Sequence, residues 1–305
     1  MKAMGGRLMP WQAWLQSETP SSRRQARLGE VYRTVLAFLG QPSAVAGLTI
    51  IVALTLLAVL APLIAGYRPD AADIAKRLAP PSGGHWLGTD ELGRDILARL
   101  LYGARTSLGI IALATGVAAP VGLLVGCMAG YAGGWVDTSL MRLTDVCLAL
   151  PRLILALAFV AALGPGIENA ILAIVLVAWP PYARIARADS LALRHSDFIA
   201  AARLAGASPA RIVLRHIMPL CVGSVVVRVS LDMAGVILIA AGLGFLGLGA
   251  QPPLPEWGAM IAAGRKYMLD QWWVAAMPGL AIAATSLGFT LLGDGLRDVL
   301  DPRRR

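Results

Sequence analysis

Arg152, Arg228 and Asp232 stand inside long apolar stretches, where a charge costs roughly 3 kcal/mol or more unless it faces protein or water. A guanidinium can hold a carboxylate through two parallel hydrogen bonds, so a deep arginine could favour passage of an anionic solute. Arg228 and Asp232 are four residues apart, the spacing at which helical side chains meet, and are expected to neutralise each other. Arg142 and Asp145, three apart, are expected to pair in the same way. Arg152 is then left without an acid in its own helix. Other reactive residues are scattered. His85, His195 and His216 fall on different loops, which supports neither a zinc site nor a general base. Cys127, Cys147 and Cys221 lie in or beside apolar stretches without ligand spacing and read as buried thiols. The chain has no GxxxxGK loop followed by Ser or Thr, so it is not expected to bind ATP itself. Gly242, Gly244 and Gly247 match the dinucleotide pattern G-x-G-x-x-G. No strand precedes them, however, and small residues in an apolar stretch serve close helix packing. The chain is not expected to be an enzyme.

A second signal is the basic stretch 184–219, RIARADSLALRHSDFIAAARLAGASPARIVLRHIMP, set between two apolar runs. Asp197 and the alanines Ala200, Ala201 and Ala202 suit a short helix, which Gly206 should end. Ser208 can cap a second helix, with Pro209 in its first turn, where a missing N–H does no harm. A rigid helix–turn–helix between membrane spans is a docking part that another subunit can push. The alternative is an amphipathic helix resting on lipid headgroups, disfavoured because Phe198 is the only bulky aromatic present.

Those elements need spans to hold them. Hydrophobic residues make up 57% of the chain and charged ones 15%, with a mean hydropathy of +0.67, whereas soluble domains are roughly a quarter charged. Residues 43–66 contain no charge; at about 1.5 Å per residue they can cross a hydrocarbon core of roughly 30 Å. This first span is too long and too far from the start for a signal-peptide core. Further spans are expected near 106–130, 138–163, 166–186, 221–248 and 272–293, six in all. Basic residues outnumber acidic ones six to two in 1–42, six to two in 184–219 and four to two from Arg297 onward. Residues 68–102 balance five with five, and 249–271 two with two. The positive excess places both termini and the 184–219 loop in the cytoplasm. The net charge of +9 then follows from topology and anionic headgroups, with no nucleic-acid partner required. Outside the membrane, Thr89, Asp90 and Glu91 suit the start of an interfacial helix carrying Leu92, Ile96, Leu97, Leu100 and Leu101 on one face, with Asp95 and Arg99 paired on another. Pro252, Pro253 and Pro255 stiffen the 249–271 loop, and Trp257 suits the interface.

The 184–219 loop resembles the EAA motif of binding-protein-dependent ABC importer permeases. Ala201, Ala202, Gly206 and Pro219 agree, and Ala200 stands where the family pattern has Glu. Further stretches resemble the DppC/OppC branch: HWLGTDELGRDILARLLYGARTSL (85–108), AGYAGGWVDTSLMRLTDVCLALP (129–151), FLGLGAQPPLPEWGAM (245–260) and LLGDGLRDVLDPR (291–303). The resemblance implies an all-α, polytopic bacterial inner-membrane protein with the type I ABC importer permease fold. The implied organisation is a basic N-terminal arm (1–42), a first transmembrane helix (43–66), an extracytoplasmic segment (67–105), a permease core (106–293) and a cytoplasmic tail (294–305). Implied partners are a second permease, two ATPase subunits that bind ATP and Mg, an extracytoplasmic binding protein and membrane lipids. Asp197, Ala200, Ala201, Ala202, Gly206, Ser208, Pro209 and Pro219 would couple to the ATPases. Arg152, Arg228 and Asp232 are departures from the related permeases, which usually carry small or uncharged residues there; their depth in the spans, and not the resemblance, gives the expectation that they line the path. The implied cargo is di- or oligopeptides, with nickel chelates, glutathione or another small anionic peptide-like solute as alternatives. A stand-alone channel or secondary transporter would show an internal repeat or ion-coupling carboxylates near mid-membrane; no repeat is found and Asp232 is the only deep acid.

Overall fold

The computed structural model describes Trp14, Leu15 and residues 21–300, excluding the Leu300 side chain. Most of the arm before residue 21, and the arginines that end the tail, lie outside these residues. Among the described residues every regular element is helical apart from one isolated bridge, Thr89 to Asp95. Helix α1 (Arg23–Leu39) starts where the Ser22 hydroxyl accepts from the Gln25 N–H, and α2 (Pro42–Val59) starts with a proline in its first turn. Then follow α3 (Ile96–Ala132), α4 (Gly134–Ala149), α5 (Arg152–Leu163) and α6 (Ile167–Leu193). The surface helices α7 (Asp197–Leu204) and α8 (Pro209–Ile212) lead through a π turn at Val213–Ile217 into α9 (Met218–Phe245). Helices α10 (Trp257–Gly264) and α11 (Trp273–Leu300) complete the order.

Among the described residues five helices are long and apolar enough to cross a membrane, and α4 with α5 makes a sixth span if that bent pair is counted as one. The expected all-α, multi-pass architecture is therefore present, with three differences. The third span is broken: α4 and α5 meet at 97° around Leu150 and Pro151. Pro151 has no N–H to continue the ladder and disfavours the helical conformation for Leu150 before it. Second, no helix begins at Thr89. Asp95 is the true cap, accepting from the Ala98 N–H at 2.7 Å, and α3 runs unbroken for 37 residues from Ile96. The interfacial helix and the second span are one element. Third, α6 extends to Leu193 and α9 is continuous with α8, so much of 184–219 belongs to the spans.

The tightest seam is between α3 and α6. Gly122, Gly126 and Gly130 recur every four residues on one face of α3 and press against α6. A β-carbon at Gly122 would come within 2.6 Å of the Trp179 carbonyl, one at Gly130 within 2.7 Å of the Arg187 carbonyl, and one at Gly126 would overlap the Ala183 carbonyl. Small residues at this spacing let two backbones touch, the main source of helix association where lipid removes the hydrophobic driving force. Opposite, α2 packs antiparallel on α11 through Gly47, Gly288 and Gly295, the last lying against Ala44.

Candidate functional site

The first candidate is the α7–α8 element at one end of the bundle. Helix α7 ends in a Schellman motif: the Ala207 N–H donates to the Ala202 carbonyl, and the Gly206 N–H to the Arg203 carbonyl. That geometry requires a left-handed residue, and Gly206 has φ +76°. Ser208 then caps α8 by accepting from the Arg211 N–H, and Pro209 occupies the first turn. The helix–break–helix read from 184–219 is present in this form. Ile199 and Ile212 are fully buried beneath it, and the Arg203 guanidinium lies 5.1 Å from the ring of Tyr131 at the end of α3. The opposite side is open. Asp197, Phe198, Ala200 and Ala201 are exposed, and Leu204 is 91% exposed at the tip. A leucine held in that position by a buried underside is a projecting apolar knob. Pro219 lies just past the π turn, inside the first turn of α9. A residue without an N–H breaks the ladder there, and a wider turn absorbs the break.

The second candidate is the buried ion cluster, which is wired differently from the sequence expectation. Asp232 accepts from Arg152 Nη1 at 2.6 Å and from the Tyr182 hydroxyl at 2.9 Å. Its partner is thus Arg152, 80 residues away, and not Arg228 on its own helix. Arg228 Nε is buried and has no hydrogen-bond partner among the described residues. The cluster joins α5, α6 and α9, with Arg152 at the first residue of α5 just past the bend. The Arg142–Asp145 pairing also gives way to a longer reach: Asp145 pairs with Arg184 at 2.6 Å, and Asp137 takes both Nε and Nη2 of Arg187. Tyr182 carried no signal of its own in the sequence. On a different face of α9 from Arg228 and Asp232, an apolar groove of about 820 Å³ runs against α3, lined by Gly116, Ala119, Val222, Val226, Val229 and Met233.

The opposite end of the bundle is tied by buried polar contacts. Glu256, in the proline-stiffened 249–271 loop, is 1% exposed and caps α10 by accepting from the Gly258 and Ala259 N–H groups, both at 2.8 Å. Trp257 is equally buried, and its indole N–H donates to the Leu100 carbonyl at 3.0 Å. Neither residue is therefore available as an interfacial or landing group. Gly244 makes room for the Glu256 carboxylate, and Gly247 (φ +78°) ends α9 in a second Schellman motif. The glycines of the nucleotide-like pattern thus serve packing and capping. His85 Nδ1 lies 2.9 Å from Asp95, and Asp90 holds the 67–95 loop by accepting from the Leu92 and Arg94 N–H groups and from Arg94 Nε. Arg99 turns to Asp90 and not to Asp95. No group of three or more His, Cys, Asp or Glu side chains able to hold a metal occurs among the described residues.

Burial pushes the Glu256 carboxyl above its usual range, although the two backbone N–H groups and the Ser107 hydroxyl pull it back. A carboxyl raised on folding binds a proton more tightly in the native state. Stability is therefore fully present below the unfolded value near 4.5 and declines as pH rises from there towards the folded value. Glu256→Ala is expected to cost about 2 kcal/mol through loss of the cap. Glu256→Gln should cost less and flatten the decline in thermal stability between acid and neutral pH. A slope unchanged in Glu256→Gln would assign the decline to another group.

The architecture is the fold of the MetNI methionine ABC transporter in its inward-facing conformations: the two match with a TM-score of 0.53 at 19% identity, over 67% of this chain and 97% of that one. Residues 122–305 match the family described as binding-protein-dependent transport system inner membrane component, and residues 32–81 match the N-terminal TM domain of oligopeptide transport permease C. The probable D,D-dipeptide transport system permease protein DdpC of Escherichia coli is 44% identical, over 95% of this chain and 97% of that protein. The dipeptide transport system permease protein DppC of Alkalihalophilus pseudofirmus is 42% identical over 86% of each. The glutathione transport system permease protein GsiD of Pectobacterium atrosepticum is 47% identical over 73% of this chain and 74% of that protein. The chain belongs to the binding-protein-dependent transport system inner membrane component family, and is a multi-pass permease component.

Proposed function

We propose that this chain is one of two permease subunits of an ATP-driven importer of di- or oligopeptides, with the α7–α8 element as its contact with a cytoplasmic ATPase. The exposure of Leu204 above the buried Ile199 and Ile212 carries this reading: a rigid apolar knob fits a groove on a partner. ATP and Mg belong to the ATPase subunits, and closure of these around ATP would push α7 and open the path outward. The groove between α3 and α9 is where the second permease completes that path. At the other end, Arg265, Lys266 and Leu269 are exposed beside α10 and offer a landing surface for the binding protein. Dipeptide and D,D-dipeptide relatives support the cargo class. A glutathione relative supports a second reading, a small anionic peptide-like solute. Arg152, Arg228 and Asp232 do not line that groove; their one net positive charge, held in an apolar surrounding beside it, would favour such cargo through its field.

Gly206→Leu tests the contact. A β-carbon there meets no neighbour, but φ +76° is strained for any L side chain, at about 1–2 kcal/mol. The distorted break should lower transport by about tenfold, the effect of 1.4 kcal/mol, while the spans stay folded. Leu204→Asp should release the ATPase outright. Wild-type uptake and ATPase stimulation in both variants would overturn the assignment.

A further inference from the structure

Helix α1 has a face that stays exposed among the described residues. Leu28, Val31, Val35 and Leu39 recur at helical spacing along it and are 52%, 61%, 47% and 60% exposed. Trp14 and Leu15 extend the stripe: the Trp14 carbonyl accepts from Gln25 Nε2 at 2.8 Å, and Gly29 lets Leu15 close on the helix. With Leu28, Val31, Tyr32 and Val35 they line a shallow apolar concavity of about 400 Å³. Arg23, Arg24, Arg27 and Arg33 are all exposed on this helix, against Glu30 as its one acid. An apolar stripe with aromatic residues, backed by arginines, has the composition of a helix lying in a membrane interface.

Chain geometry removes most other positions. Only Gly40 and Gln41 join α1 to the first span, a reach of roughly 7 Å. The helix is therefore held at the bilayer surface, on the same face as α7–α8, because α2 starts from that face. We propose that α1 is a lipid-binding element. Its apolar stripe enters the boundary between headgroups and acyl chains, and its arginines bind the phosphates of anionic phospholipids. Long arginine side chains reach the headgroups while their stems cover apolar surface, and attraction to an anionic leaflet acts within a Debye length. The proposal rests on α1 and its tether alone, independently of the cargo or the ATPase contact.

The test uses the whole transporter in nanodiscs of phosphatidylcholine, with or without phosphatidylglycerol. Val31→Cys, at an exposed position, carries an environment-sensitive fluorophore, and lipids bearing a shallow spin label act as quencher. Strong quenching is expected, increased several-fold by phosphatidylglycerol. That increase should vanish when Arg23, Arg24, Arg27 and Arg33 are all changed to Gln, and added salt should weaken it in the unaltered helix. A label that stays unquenched in both lipids, or becomes shielded only when the ATPase or a second permease is present, would show the stripe to be a protein contact. Quenching indifferent to phosphatidylglycerol and to the arginines would remove the anionic-lipid assignment.

Discussion

Gly126→Leu is expected to abolish assembly of the folded permease. Gly126 is the middle of three glycines through which α3 touches α6, and a β-carbon there would overlap the Ala183 carbonyl, with the Ala186 side chain at 2.7 Å. Backbone cannot give way as the end of a flexible side chain can, so the two helices would have to separate along their length. Overpacking in a tight core costs about 1–3 kcal/mol; here a whole helix pair is displaced, and the loss should exceed that range. Gly126→Ala should be the milder version and still lower the melting temperature. Gly116, on the same helix, meets no atom within 4 Å, so Gly116→Ala should leave stability near wild type. Detergent-solubilised protein followed by size-exclusion and thermal unfolding separates the three. Similar behaviour of Gly126→Leu and Gly116→Ala would disprove the seam.

Breaking the Arg152–Asp232 pair should have the second largest effect. Asp232 is 7% exposed and its two oxygens are taken by Arg152 and Tyr182. Arg152→Gln leaves a buried carboxylate with one neutral donor, and removing one partner of a buried pair costs about 3–5 kcal/mol. Replacing both, Arg152→Leu with Asp232→Leu, should recover most of that loss, because the pair's desolvation cost disappears together with its attraction. The cycle therefore predicts strong non-additivity in thermal stability; additive losses would mean that the pair does not act as a unit. Arg228→Gln is expected to behave differently. Its Nε has no partner to lose, so stability should hold while uptake of carboxylate-bearing solutes falls and basal ATPase activity is retained. Equal destabilisation by Arg228→Gln and Arg152→Gln would show Arg228 to be architectural.

Local chemistry was legible where a few neighbouring residues decide it. Gly206, Ser208 and Pro209 announce a break and a cap because a left-handed turn and a capping hydroxyl are properties of the segment itself. Uncharged runs of span length likewise announce helices that cross a membrane. Pairings between distant helices were not legible. Arg152 could not be matched to Asp232, nor Arg187 to Asp137 50 residues away, since spacing along one helix says nothing about which helix lies alongside. Rules for neighbours on one helix therefore favoured Arg228–Asp232 and Asp95–Arg99, while tertiary contacts chose other partners. Thr89, Asp90 and Glu91 have the composition of a helix start, yet Asp90 is spent on closing a turn and Asp95 takes the capping role. The Gly122–Gly126–Gly130 repeat was a readable signal of close packing that the apolar length of the span obscured.

The residues from Pro209 to Phe245 count as a single span of 37 residues, about 55 Å of helix. A continuous strut of that length leaves its two ends little independence. Axial thrust applied beside Ser208 would arrive at Gly244, which packs against the Glu256 carboxylate, along one unbroken helix. The one compliant point is the π turn before Pro219, which can yield in rotation while still transmitting force along the axis. On the proposed ATPase contact, both ends of the membrane domain would be geared to the same shaft, and the far end would have no separate clock.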